Sequence, residues 1–79
     1  MAVYISIHKV GEDPTSAEYT YETADGIQGR LKVEKASGQI TLLQLAPNDD
    51  DTMLFQRASH KINKHWKRGE LPSDTCWAS

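Results

Sequence analysis

The sequence predicts a two-layer α+β domain: a four-stranded antiparallel β-meander followed by one amphipathic C-terminal helix packed on one face of the sheet. Three observations predict it. Apolar and polar residues alternate in short segments before residue 46, glycine-bearing turns separate those segments, and a long helical pattern begins near residue 52.

In the first strand, about residues 2–10, Val3, Ile5 and Ile7 alternate with Tyr4, Ser6 and His8, the period of a half-buried strand. Gly11 to Ser16, with Pro14, reads as a loop. The second strand, about 18–24, sets Tyr19 and Tyr21 on one face and Glu18, Thr20 and Glu22 on the other. Asp25-Gly26 is a strong hairpin signal. The third strand, about 28–35, turns Leu31 and Val33 inward and Arg30, Lys32 and Glu34 outward. Ala36-Ser37-Gly38 closes the next hairpin, where Gly38 supplies the positive φ that a short loop requires. The fourth strand, about 39–45, contains Leu42-Leu43, which breaks the alternation and leaves its buried face open.

Pro47 ends that strand, and Asn48 to Thr52 prepares a helix over about 52–68. Asp51 or Thr52 is expected to cap its first N–H groups, and Gly69 to close its C-terminus, with Pro72 beyond. At about 100° per residue, Leu54, His65, Ala58, Ile62, Phe55 and Trp66 share an arc of roughly 120°. Opposite them lie Lys67, His60, Met53, Lys64, Arg57, Arg68 and Lys61, and no acidic residue occurs from 52 to 69. The expected core is Val3, Ile5, Ile7, Tyr19, Tyr21, Leu31, Val33, Ile40, Leu42, Leu54, Phe55, Ala58, Ile62 and Trp66. Residues 69–79 show no periodicity and are expected as an irregular tail that packs back through Leu71, Cys76 and Trp77.

Composition bounds the function. Seventy-nine residues suffice for a single domain, 1–79, and its apolar fraction of 38% at a net charge of −2 argues against disorder along the whole chain. No apolar run approaches the roughly 18 residues of a membrane span. Met1 to Val10 lacks the pattern of a secretory signal, and Cys76 is alone, so a soluble protein with a cytoplasmic address is expected. The charge is divided: residues 1–51 carry four Lys/Arg against nine Asp/Glu, residues 52–79 five against two. A dipolar molecule follows.

The chemical constellations are weak. His60 and His65 are five apart and point about 140° from each other on a helix, whereas zinc-binding pairs favour spacings of three or four. No metal site is expected, and no cofactor. Cys76 has no motif to organise a base beside it and reads as a structural thiol next to Trp77. Asp49, Asp50 and Asp51 are consecutive, which suits a solvated cap better than a positioned pair of carboxylates. The glycines of 26–29 lack the lysine and helix of a phosphate-binding loop.

What the sequence offers is surface. A small non-enzymatic protein-binding or regulatory module fits it best, using the basic helix face or a sheet edge against a partner protein of acidic character. The contact candidates are Arg57, His60, Lys61, Lys64, Lys67 and Arg68, with Trp77 from the tail. The alternative is a nucleic-acid binder using the same helix, with Tyr4, Tyr19 and Tyr21 as a stacking platform; an enzyme comes a distant third. The chain is expected as a monomer, or as a homodimer through a sheet edge.

Overall fold

The computed structural model describes residues 4–23, 26, 28–47, 49 and 52–78. Val3 of the expected core, Asp25 of the first hairpin turn and Asp51 as a helix cap lie outside the described residues.

The expected antiparallel sheet with a helix on one face is present, with five strands in place of four. β1 (Tyr4–Glu12), β2 (Ser16–Glu22), β3 (Gln28–Glu34) and β4 (Ile40–Gln44) form the meander. The helix α1 (Met53–Lys67) follows, and β5 (Asp74–Ala78) then pairs antiparallel with β1. The order across the sheet is β4-β3-β2-β1-β5. The irregular tail expected over 69–79 is therefore corrected. Thr75 and Trp77 stand opposite Ile7 and Ile5 on the helix side, while Asp74 and Cys76 stand opposite His8 and Ser6 on the other. Five residues carry too short an alternation to stand out in the sequence; the open edge of β1 supplies the partner that makes them a strand.

β1 also runs further than residue 10, through Gly11 and Glu12, with a register shift between Lys9 and Gly11. The loop expected from Gly11 shrinks to a turn in which the Asp13 carboxylate accepts hydrogen bonds from the Thr15 and Ser16 N–H groups, each at 2.8 Å. These bonds hold the Asp13 carboxyl below its ordinary range. The Leu42-Leu43 ambiguity resolves as a β-bulge. Leu42 pairs with Leu31 and Gln44 with Arg30, which leaves Leu43 as the extra residue, 46% exposed, while Leu42 packs against the core.

One sheet face is apolar and the other wet, as antiparallel sheets allow. Ile5, Ile7, Ala17, Tyr19, Tyr21, Leu31 and Val33 are fully buried beneath Ala58 and Ile62 of the helix. At about 1.5–3 kcal/mol for each large apolar side chain removed from water, this layer is the main stabilising element. Ile40, Leu42, Leu54 and Phe55 flank it, and Ala17, Ala46, Leu71 and Trp77 join it from outside the expected core. Trp66 is half-buried at the rim, where its indole N–H donates to the Lys35 carbonyl at 2.8 Å. Tyr21 spans the layer. Its ring stands against Gly29, where an ideal Cβ would fall 2.3 Å from Cζ, and its hydroxyl accepts the Ala46 N–H at 3.4 Å. Only glycine fits opposite it.

The helix start differs from expectation. Thr52 precedes the first turn in a left-handed conformation, φ 57°, and its side chain makes no capping bond. The capping carboxylate is Asp49, 1% exposed, whose Oδ1 accepts Leu54 N–H at 2.9 Å and whose Oδ2 accepts Phe55 N–H at 3.0 Å. The turns from Ala46 to Thr52 carry the carboxylate back under the helix end, through Asp49 N–H to Ala46 O and Thr52 N–H to Asp49 O. At the other end, Gly69 has the expected positive φ of 77° and donates its N–H to the Trp66 carbonyl.

Candidate functional site

The helix stands out because its cations are unbalanced. All four Lys/Arg residues among positions 1–51 are paired: Lys9 with Glu12, Arg30 with Glu18, Lys32 with Glu34, and Lys35 with Glu12. The five on the helix and its C-terminal turn behave differently. Among the described residues no carboxylate stands within ion-pair distance of Arg57, Lys61, Lys64, Lys67 or Arg68. His60, Lys64, Lys67 and Arg68 are exposed, and Arg57 and Lys61 are half-buried on the flank. Lys64 and Lys67 lie in the last turn, where they also complement the helix dipole.

Trp77 joins this surface through Arg57. It is half-buried on the helix side of β5, opposite Ile5, and the Arg57 guanidinium lies over its ring at 4.8 Å from the centroid. That distance is a cation–π contact. It fixes one end of the basic surface to the edge strand and carries it from helix to sheet. His60 lies on the far flank of the helix, beside Gly38, Ile40, Gln56, Ser59 and Asn63.

The structure separates Cys76 from His65. His65 Nε2 lies 2.9 Å from the Thr75 hydroxyl, on the helix side of β5. Cys76, one residue on, points to the opposite sheet face beside Ser6. The β5 backbone therefore stands between thiol and imidazole. On the open face a hydrogen bond to Cys76 pushes the Tyr4 hydroxyl above its ordinary range. Of the expected stacking tyrosines, Tyr19 and Tyr21 are fully buried beneath the helix, while Tyr4 is exposed on the open face.

Two groupings were not visible in the sequence because each depends on β5 or on the chain entering it. On the open face His8 bridges three strands, with Nδ1 2.5 Å from Asp74 and Nε2 3.8 Å from Glu22. At the C-terminal end of the helix a groove of about 460 Å³ is lined by Lys9, Glu12, Lys35, Trp66, Glu70 and Leu71. Its charges are already engaged. Glu12 accepts from Lys9 at 2.8 Å and Lys35 at 2.7 Å, and Lys9 also donates to Leu71 O at 2.7 Å. The hydrogen bonds from Lys35 and Lys9 hold the Glu12 carboxyl down at about 2. Among the described residues no three His, Cys, Asp or Glu side chains gather as a metal site would require. Among the described residues no helix is long and apolar enough to cross a membrane.

Comparison with known protein families finds no matching family model, and comparisons with curated proteins and with solved structures return no match.

Proposed function

We propose that this chain is a non-enzymatic binding module whose basic helix face docks an acidic surface of a partner protein. The observation that carries the reading is the sorting of charge. Every Lys and Arg of positions 1–51 has a carboxylate, whereas the five of the helix and its end have none among the described residues. Charges without internal partners add little to stability but remain available to steer and orient an encounter. Arg57, held over Trp77, supplies a partly ordered contact at the rim of that surface, and ordering in advance lowers the cost of binding. A cytoplasmic setting suits a chain whose one cysteine is a free thiol.

The alternative, a nucleic-acid ligand, would use the same cations through phosphate contacts. The burial of Tyr19 and Tyr21 leaves it only Tyr4 of the three stacking tyrosines, so an acidic protein is the better fit.

The test is capture from source-organism lysate with the tagged full chain, with and without nuclease, beside a Lys61→Glu/Lys64→Glu variant. A discrete protein that survives nuclease and is lost with the variant, whose melting is unchanged, supports the reading. Nuclease-sensitive material would transfer the surface to nucleic acid. Capture that is indifferent to the variant would remove the helix from the interface.

A further inference from the structure

We infer that the β4 edge is a self-association surface, on which β4 of a second copy pairs antiparallel about a two-fold axis at Thr41. Four observations converge on it.

The first is the direction of the backbone. The Glu34 N–H donates to Gln39 O at 2.8 Å, which marks that pair as hydrogen-bonded. In an antiparallel ladder the bonded pairs recur every second residue, so the Lys32–Thr41 pair is bonded as well. Ile40 and Leu42 then direct their N–H and C=O groups away from β3, to the outside of the sheet. Beyond Leu42 the bulge at Leu43 breaks the ladder, so these two residues define what the edge can offer.

The second is that this spacing is self-complementary. Two outward-facing residues separated by one, met by an antiparallel copy, place Ile40 opposite Leu42 of the copy and Leu42 opposite its Ile40. Thr41 then faces Thr41 of the copy across the axis. The arrangement makes roughly four inter-chain hydrogen bonds and leaves none of the outward groups of Ile40 and Leu42 over. Threonine opposite threonine is a favourable cross-strand pair.

The third is the missing guard. Edge strands are ordinarily protected by charge, proline or a covering segment. From Ile40 to Ala46 there is no charged residue and no proline, and Leu43 and Leu45 are 46% and 39% exposed. The opposite edge, β5, opens with Asp74 and carries the Arg57–Trp77 contact above it.

The fourth is the position of the helix. α1 packs over β1, β2, β3 and β5 and leaves β4 at its margin, with Ile40 and Leu42 only partly covered. Between β4 and the helix lies an open groove of about 300 Å³ lined by Ile40, Gln56, Ser59, His60 and Asn63. No Lys or Arg lines that groove, whereas Arg57 lies on the β5 side. A perpendicular two-fold at Thr41 puts both helices on the same face of a continuous sheet. Their grooves face each other over four apolar side chains, two from each copy. No Lys or Arg lines either groove, so the facing surfaces do not set lysines or arginines against each other. The inference stands apart from the proposed function, since it rests on the backbone of the β4 edge and not on the helix cations.

Sedimentation equilibrium of the full chain is the test, with three variants. The mass should rise with concentration toward twice the 8.9 kDa of one chain. Thr41→Lys, which sets two ammonium groups face to face at the axis, should hold the mass at one chain with unchanged circular dichroism and melting. Mixing it with Thr41→Glu should restore the doubled mass. Thr41→Cys in a Cys76→Ser background should form a covalent dimer on mild oxidation, because facing residues of a non-bonded pair lie about 4.5 Å apart, within disulfide reach. A wild-type chain that stays at one-chain mass up to millimolar concentration would overturn the inference. So would a doubled mass indifferent to Thr41→Lys with no cross-link at Thr41→Cys. A monomer that instead takes up an extended apolar peptide along β4 would replace the second copy as occupant.

Discussion

The six-membered ring of Trp66 fills the space that a side chain at Gly38 would occupy. An ideal Cβ there would lie 2.6 Å from Cε3, and Gly38 has a φ of +76°. Helix and hairpin are joined at this point by the absence of a side chain. The Asn63 amide donating to Gly38 O at 3.3 Å and the Trp66 indole donating to Lys35 O at 2.8 Å close the same junction.

Gly38→Ala should therefore cost more than the backbone alone. Gly69 is the internal control, because its φ is +77° yet nothing lies within 4 Å of an added Cβ. Gly69→Ala should lose on the order of 1 kcal/mol from the left-handed backbone. Gly38→Ala should lose a further ~1–3 kcal/mol, from the displacement of Trp66. Urea melts of the two variants read the difference directly; equal losses would mean that the indole moves away at no cost.

Asp49→Ala should destabilise by about 0.5–2 kcal/mol, the usual value of an N-terminal cap. The carboxylate is buried and serves both Leu54 and Phe55, so the upper half of that range is expected. Thermal melts beside Asp49→Asn, which keeps one acceptor oxygen, test the assignment. An Asn variant as damaged as the Ala variant would show that both oxygens are needed.

Much of this architecture was legible before any coordinates. The period-2 faces of Ile5 and Ile7, of Tyr19 and Tyr21, and of Leu31 and Val33 were readable because one face meets the helix and the other meets water. The helix was readable for the same reason. β5 was not, since five residues around a single Trp have no pattern of their own, and their structure comes from the free edge of β1. The Asp49 cap was hidden by its two acidic neighbours, because choosing among three consecutive carboxylates requires the path of the chain. The basic helix residues were visible as a stripe. That they lack partners, and that Arg57 reaches Trp77, depends on contacts between β5 and α1 that no periodicity announces.

Tyr19 and Glu12 each make stability depend on pH. Tyr19 donates to Pro72 O at 2.7 Å, and burial pushes its hydroxyl up to about 12. A phenol raised in the folded state contributes its full stabilisation below its ordinary pKa of about 10 and loses it as pH rises toward 12. Stability should accordingly fall between about pH 10 and 12, and Tyr19→Phe should flatten that fall. Urea midpoints at pH 8, 10 and 11 measure it, and a wild-type curve parallel to that of the variant would reject the cause.

Glu12 contributes on the acid side. Its carboxyl is lowered from 4.5 to about 2 by the hydrogen bonds from Lys35 and Lys9. A depressed carboxylate stabilises fully above its unfolded pKa and loses that contribution as pH falls through the folded value. The window is therefore about pH 4.5 down to 2. Glu12→Gln should lower stability at pH 7 and lessen the acid dependence across the window, measured by denaturant melts at pH 6, 4 and 3. An unchanged slope would place the acid sensitivity on other carboxylates.

Removing residues 70–79 should abolish cooperative folding, although only five of them form a strand. Their loss takes away the whole β5–β1 ladder and exposes Ile5 and Ile7, both fully buried, along an open edge. It also strips the Tyr19 hydroxyl of Pro72 O, the Lys9 N–H of Ser73 O, the Lys9 ammonium of Leu71 O and the His65 imidazole of Thr75. Buried or half-buried groups left without partners cost about 1–3 kcal/mol each. A domain of this size holds only about 5–15 kcal/mol in total, and the lost ladder, the uncovered Ile5 and Ile7 and these broken hydrogen bonds together reach that size. A sigmoidal thermal transition in the shortened chain, by circular dichroism, would show that the four-stranded meander and helix are sufficient. A featureless melt, restored by adding the 70–79 peptide in trans, would show that the fifth strand completes the fold.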